Sequence, residues 1–167
     1  MSRKTFFGVL AAPAIALAAA LAATCGASPA LAAAEQTVPY WASLRATEVN
    51  MRVGPGEDYR ISWVYHRQHL PVKVLREMEG WRLVQDQDGA RGWIMLRFLS
   101  HARSAVVVGE GAADMRAAGS DDSALRWHLT PGVVGMLGDC AAGWCQFNVD
   151  GRSGYVGQDR LWGAAAP

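Results

Sequence analysis

Apolar and polar positions alternate along most of this chain, in short runs. Val49, Met51 and Val53 stand two apart with polar residues between them, and Gly54-Pro55-Gly56 breaks the run, the mark of a β-strand ending in a turn. Leu70, Val72 and Val74 repeat the period, Trp81 and Leu83 give a third run, and Ala90 to Ile94 a fourth. Turn-forming residues separate them at Met78-Glu79-Gly80 and Asp86-Gln87-Asp88-Gly89. No window of about ten residues or more holds a 3.6-residue period. The pattern therefore predicts an all-β chain of short, hairpin-connected strands.

The pattern is written twice. Met51-Arg52 returns as Met115-Arg116, Gly80-Trp81 as Gly143-Trp144, Gly92-Trp93-Ile94 as Gly154-Tyr155-Val156, and Leu99 as Leu161. The second copy adds Val134, Met136 and Phe147 and a turn at Asn148-Val149-Asp150-Gly151, while its first turn has lost the proline and reads Ala118-Gly119-Ser120. Such a repeat sets the architecture: a lead segment at 33–45, one unit at 46–101, a divergent second unit at 102–163 and a tail at 164–167. Residues 101–106 are too few for a flexible linker, which predicts two units in a fixed relation. Gly54, Gly56, Gly80, Gly89, Gly92, Gly143, Gly151 and Gly154 fall where a reversal needs left-handed backbone or where strands of a small barrel approach closely. As a phosphate cradle they lack a following helix and a Lys-Ser/Thr pair.

Ahead of these units, Arg3 and Lys4 precede an apolar run that ends in the small-residue pattern Ala30-Leu31-Ala32. That order is the signature of a secretory signal peptide over 1–32, cleaved after Ala32 or Ala34. A retained anchor is disfavoured because a run of mostly Ala and Leu is weakly hydrophobic, so the mature chain is expected to have no stable membrane span. Lipidation at Cys25 is the other alternative, with Thr24 an unusual residue before a lipoprotein cysteine. Export places the protein in the periplasm or outside the cell.

Composition sharpens this only slightly. Loss of Arg3 and Lys4 leaves fourteen basic groups against fifteen acidic, which gives no electrostatic reason to expect nucleic acid. The first unit holds eight basic and seven acidic residues and the second five and seven, an asymmetry too modest to select a partner. All seven Trp and all four Tyr lie beyond the signal segment. Units of about sixty residues sit near the lower limit for folding alone, so they need dense aromatic packing, mutual support or a covalent staple.

Cys140 and Cys145 flank Ala141-Ala142-Gly143-Trp144 at a predicted hairpin. Antiparallel neighbours lie about 4.5 to 5.5 Å apart at Cα, which suits a disulfide in an oxidising compartment. The competing reading, a redox or nucleophilic cysteine, lacks the Cys-x-x-Cys spacing and a following His. His66 and His69 make a weak metal signal without a third ligand, and His128 precedes both cysteines, the wrong order for a papain-like peptidase. Glu48, Glu57, Asp58, Glu77 and Glu79 fall at solvent-facing or turn positions, so no paired-carboxylate hydrolase is expected. No cofactor and no metal are expected, and no nucleophile, base and orienting group form a workable set.

The run "MRVGPG", an aromatic-bearing loop, a β run, "GW", a "DG" turn, a second "GW" and a terminal Leu resemble the bacterial SH3-like (SH3b) domain, here in tandem. The first copy matches along its length; the second matches at Met-Arg, both GW/GY sites and the final Leu. The resemblance implies two small SH3-like β-barrels and, among relatives, cell-wall-targeting or peptide-binding modules. Within it, Trp81 and Trp144 take the place of the groove Trp, Trp93 and Tyr155 look like core or barrel-closing positions, and Tyr59, Trp63 and Tyr65 border the groove. Arg52, which recurs as Arg116, reads either as half of a barrel-edge ion pair or as a ligand contact. The expectation is a non-enzymatic module of the envelope that meets cell-wall peptide or peptidoglycan through Tyr59, Trp63, Tyr65, Trp81 and Arg52. The alternative is a structural or adaptor protein whose aromatics bury against an envelope protein or a second copy.

Overall fold

A computed structural model describes residues 37–167. The signal segment at 1–32, Cys25 and both cleavage sites lie outside the described residues.

The described residues form two seven-stranded antiparallel sheets of the same design. The first comprises β1 (Tyr40–Leu44), β2 (Val49–Arg52), β3 (Ile61–Tyr65), β4 (Pro71–Met78), β5 (Trp81–Gln85), β6 (Arg91–Met95) and β7 (Leu99–Ser100), in the order β3-β2-β6-β5-β4-β1-β7. The second comprises β8 (Ser104–Val107), β9 (Ala113–Arg116), β10 (Leu125–Leu129), β11 (Val134–Ala141), β12 (Trp144–Val149), β13 (Arg152–Gly157) and β14 (Leu161–Trp162), in the order β10-β9-β13-β12-β11-β8-β14. A single 3-10 turn, Leu96–Phe98 or Gln158–Arg160, precedes the last strand of each. The sheet begins at Tyr40, so the segment expected as a lead supplies the first strand, which pairs with β4 and β7.

Each sheet encloses its own core. Leu44, Val49, Met51, Val72, Val74, Val84, Ile94 and Leu99 fill the first; Val107, Met115, Leu129, Phe147, Val156 and Leu161 fill the second. The period of two sets the inward residues, with three corrections: Val53, read as part of the first run, lies beyond β2 and is exposed; in β11 Gly135 and Leu137 face the core while Val134 and Met136 are half-buried; and β5 is out of phase with its reading. In β5 it is Val84 that is fully buried, while Trp81 and Leu83 are half-buried. Val84 stands across from Val74 and Gly92 on the core side; Leu83 and Trp81 stand across from Trp93 and Met95 on the other face.

The strand-to-strand approach explains Gly92 and Gly154. A Cβ at either would lie 2.5 Å from the Cγ of Met51 or Met115, within the core. Gly89, Gly143 and Gly151 are left-handed, with φ between 81° and 84°. Gly54 and Gly56 carry the ring of Tyr59 against their backbone. Gly80 meets neither expected requirement: its surroundings are open, and the left-handed residue of that hairpin is Glu79.

The two sheets meet at a joint. Trp41 and Trp162 pack edge to face with centroids 4.6 Å apart, and Trp41 Nε1 donates to the carbonyl of Ala165 at 2.8 Å. Ser43 Oγ donates to Ala102 O at 2.9 Å, and Arg67 Nη1 donates to Gly132 O. Residues 164–167 are therefore not a free tail: Ala164 is buried in the second core, and Ala165 accepts a bond from the first barrel. Cys140 and Cys145 are direct cross-strand partners of β11 and β12 and are joined by a disulfide, with Cα atoms 4.0 Å apart.

Candidate functional site

Arg52 ends β2 and faces outward, directly across from Trp93 of β6. Its Nη1 donates to the carbonyl of Tyr59 at 2.6 Å, which fixes the guanidinium against the β2–β3 loop. Trp81 opens β5 across from Met95, and the 3-10 turn that follows β6 brings Arg97 and Phe98 to the same place. These residues, with Asn50 and Glu57, line a cleft of about 110 Å³. Arg97 lies over the ring of Phe98, its guanidinium carbon 4.9 Å from the centroid, and reaches Glu57 at 3.8 Å in solvent.

The second barrel builds the same cleft from the corresponding positions. Arg116 stands across from Tyr155, Trp144 across from Gly157, and the turn Gln158–Arg160 supplies Asp159 and Arg160. Together with Asp114 and Asp121 they line a cavity of about 490 Å³. Arg116 Nη1 donates to Ser123 O at 2.9 Å, as Arg52 does to Tyr59 O. Its Nη2, however, is bound to Asp114 Oδ2 at 2.9 Å, and the other oxygen of Asp114 meets His128 Nδ1 at 2.9 Å. Arg160 is turned onto the carbonyls of Val108, Glu110 and Gly111.

The structure thus joins Arg52 and Trp81 in one cleft and leaves Tyr59, Trp63 and Tyr65 out of its lining. Tyr59 is 49% exposed, close to Arg52 through its carbonyl. Trp63 is 59% exposed on β3, at the end of the sheet, beside Ile61 and outside the cleft lining. Neither Trp63 nor Tyr65 is in a loop; both belong to β3.

Tyr65 is a correction. Only 6% exposed, it belongs to the first core and donates its hydroxyl to Asp86 Oδ2 at 2.9 Å. Burial first, and then the bond to that carboxylate, push the hydroxyl well above the usual tyrosine range. Asp86 in turn accepts from the backbone N–H groups of Asp88 and Ala90, capping the β5–β6 turn. Glu77 is likewise engaged and not simply solvated, accepting from Tyr40 at 2.7 Å and pairing with Arg82 at 2.9 Å. Burial, followed by the bond to Glu77, raises Tyr40.

Asn50, Glu57, Met95, Arg97 and Phe98 were missed in the sequence. A signal exists for Arg97 and Phe98 alone, the chain order Leu96-Arg97-Phe98 before the terminal Leu99, matched by Gln158-Asp159-Arg160 before Leu161. His66 meets only Glu48, at 3.5 Å and in solvent, and among the described residues no group of three or more His, Cys, Asp or Glu is placed to hold a metal ion.

Two tandem antiparallel barrels, each with an outward cleft walled by an aromatic ring and an arginine, define a class of small all-β domains. The chain belongs to the bacterial SH3 domain family, whose model matches residues 45–101 and again 109–163. Domains of this family are generally binding domains, often on cell-wall material. The family and the disulfide together suggest an extracytoplasmic protein. No helix among the described residues is long and apolar enough to cross a membrane.

No curated protein matches the chain. Among solved structures, it is similar to NlpC2 from Trichomonas vaginalis, with 16% identity, TM-score 0.35, and 77% of this chain and 49% of that chain covered. NlpC1 from the same organism is similar at 18% identity and TM-score 0.34, with 77% and 46% covered. The chain spans about half the length of these two proteins, and a likeness at this level carries no functional argument.

Proposed function

We propose that this chain is a non-catalytic binding module of the cell envelope that recognises peptide, including the stem peptide of peptidoglycan, through the cleft face of its first barrel. Arg52 and Trp81 form the centre of that face, and the exposed rings of Tyr59 and Trp63 extend it. The observation that carries the reading is a held but uncommitted arginine beside an aromatic wall. Arg52 is oriented by Tyr59 O, and among the described residues it has no carboxylate partner. Such a group supplies hydrogen bonds to a peptide while the ring supplies apolar contact.

A pull-down of the purified protein on peptidoglycan sacculi tests this. Wild type is expected to sediment with the sacculi, and Arg52→Ala and the pair Tyr59→Ala, Trp63→Ala to remain in solution. Full retention of both variants would place the binding face elsewhere.

A second reading, an adaptor that docks onto a protein, is favoured by one observation. The terminal strands of the sheets, β3 and β10, expose Ile61 with Trp63 and Leu125 with Trp127 at corresponding positions. An apolar terminal strand is a ready template for pairing with another chain. Self-association that disappears in Trp63→Glu together with Trp127→Glu would support it.

A further inference from the structure

The two clefts share a frame and differ first in how the arginine's second arm is used. In both barrels the arginine is pinned through Nη1 by the same backbone carbonyl of the loop, Tyr59 O or Ser123 O. In the second barrel the Nη2 arm is spent on Asp114. In the first, the corresponding residue is Asn50, which carries no charge, and the guanidinium of Arg52 keeps that arm open.

We infer that the first cleft is a carboxylate receptor, taking the C-terminal carboxylate of a peptide, and that the residue at position 50 or 114 decides which barrel can do so. The inference rests on the reading of this face as a peptide-binding face. A guanidinium held by one nitrogen presents its remaining N–H groups in a fixed fork, which matches a planar carboxylate better than any neutral peptide group. Arg97 adds a second cation on the rim, set by the ring of Phe98, and its contact with Glu57 is a long, solvent-exposed pair that neutralises little of it. The cleft of about 110 Å³ accepts a chain end with a small side chain against Trp81 and leaves little room for a continuing peptide.

The second cleft is built against the same ligand. Asp114 fills the fork of Arg116, Asp159 stands where Arg97 stands, and Arg160 is held by three carbonyls. Two arginines face one carboxylate in the first cleft and three in the second. A carboxylate entering the second would meet Asp121 and Asp159, with the Nη2 arm of Arg116 already bound to Asp114 and Arg160 drawn onto the carbonyls of Val108, Glu110 and Gly111.

Calorimetric titration of the purified protein with a short peptide ending in Ala-Ala, as the free acid and as the C-terminal amide, tests the inference. The acid is expected to bind at least about tenfold more tightly than the amide, with one site per chain. Asn50→Asp, a residue the second barrel already accommodates at this position, is expected to abolish the preference, whereas Gln87→Asp, which adds the same charge on the exposed β5–β6 turn outside the cleft lining, keeps it. Equal binding of acid and amide, no binding of either, two sites per chain, or a preference that survives Asn50→Asp would each overturn it. The sacculi pull-down separates this from the broader reading: sedimentation without an acid preference leaves the wall-binding module standing and removes the carboxylate receptor. An acid preference without sedimentation does the reverse.

Discussion

Trp41 of the first barrel and Trp162 of the second meet edge to face at 4.6 Å, and the indole of Trp41 is further tied to the chain beyond Trp162 by its bond to Ala165 O. Two units near the lower size limit for folding alone share one joint, and each gains burial from the other. Trp162→Ala removes one ring of the pair and leaves Trp41 without its partner. Calorimetry is expected to show one cooperative transition for wild type, and a loss of about 2 kcal/mol with resolution into two transitions for the variant.

Tyr65 and Asp86 form the principal buried polar contact of the first core, and the second core has Leu129 and Val149 at the corresponding places. Tyr65 holds its proton more tightly in the folded chain than in the unfolded chain, where the ordinary value is 10.0. The contribution is therefore complete below about pH 10 and is lost as pH rises above it, because the unfolded chain then releases a proton that the folded chain retains. Urea midpoints are expected to fall above about pH 10, and Tyr65→Phe to flatten that fall. At neutral pH the same variant is expected to cost about 1 to 3 kcal/mol, since Asp86 loses a donor while still buried.

The disulfide staples the β11–β12 hairpin across a sequence separation of five. Closing so short a loop stabilises by about 2 kcal/mol on the chain-entropy view. Cys140→Ser with Cys145→Ser is expected to lower unfolding stability by about that amount, and reductant to have the same effect on wild type and none on the variant. Chemical denaturation with and without dithiothreitol measures both.

Gly92 and Gly80 are both in Gly-Trp or turn contexts yet carry opposite demands. A methyl on Gly92 must displace the Met51 side chain and crowd Arg52 O, so Gly92→Ala is expected to cost about 1 to 3 kcal/mol. Nothing lies near a Cβ at Gly80, and Gly80→Ala is expected to stay within about 0.5 kcal/mol of wild type. Thermal melts of the two variants side by side make the comparison.

Much of the architecture was legible before any coordinates. The Met51/Met115 repeat, the Gly-Trp pairs and the period-two runs gave two all-β units, and the Cys140–Cys145 bridge followed from their place in a hairpin. The site was legible only in part. Arg52 and Trp81 were both visible as recurring residues, but Tyr65 looked like their companion because the resemblance placed it in a groove-bordering loop, where the chain in fact forms a strand that runs into the core. On β3 the residues pass from exposed Ile61 and Trp63 to buried Tyr65 within a single strand.

The sequence by itself determined the class and the count: local alternation, turn residues and an internal repeat act through neighbours a few positions away, and these specify strands and hairpins without reference to the rest of the chain. Only the tertiary structure decided which side chains share a cleft. Asn50, Arg52, Trp81 and Arg97 come from two strands and a 3-10 turn, and they meet because barrel closure brings β2, β5 and the segment after β6 to one face. The difference between an arginine bound to Asp114 and one left open beside Asn50 is a matter of a hydrogen bond across that face, and no period in the sequence carries it.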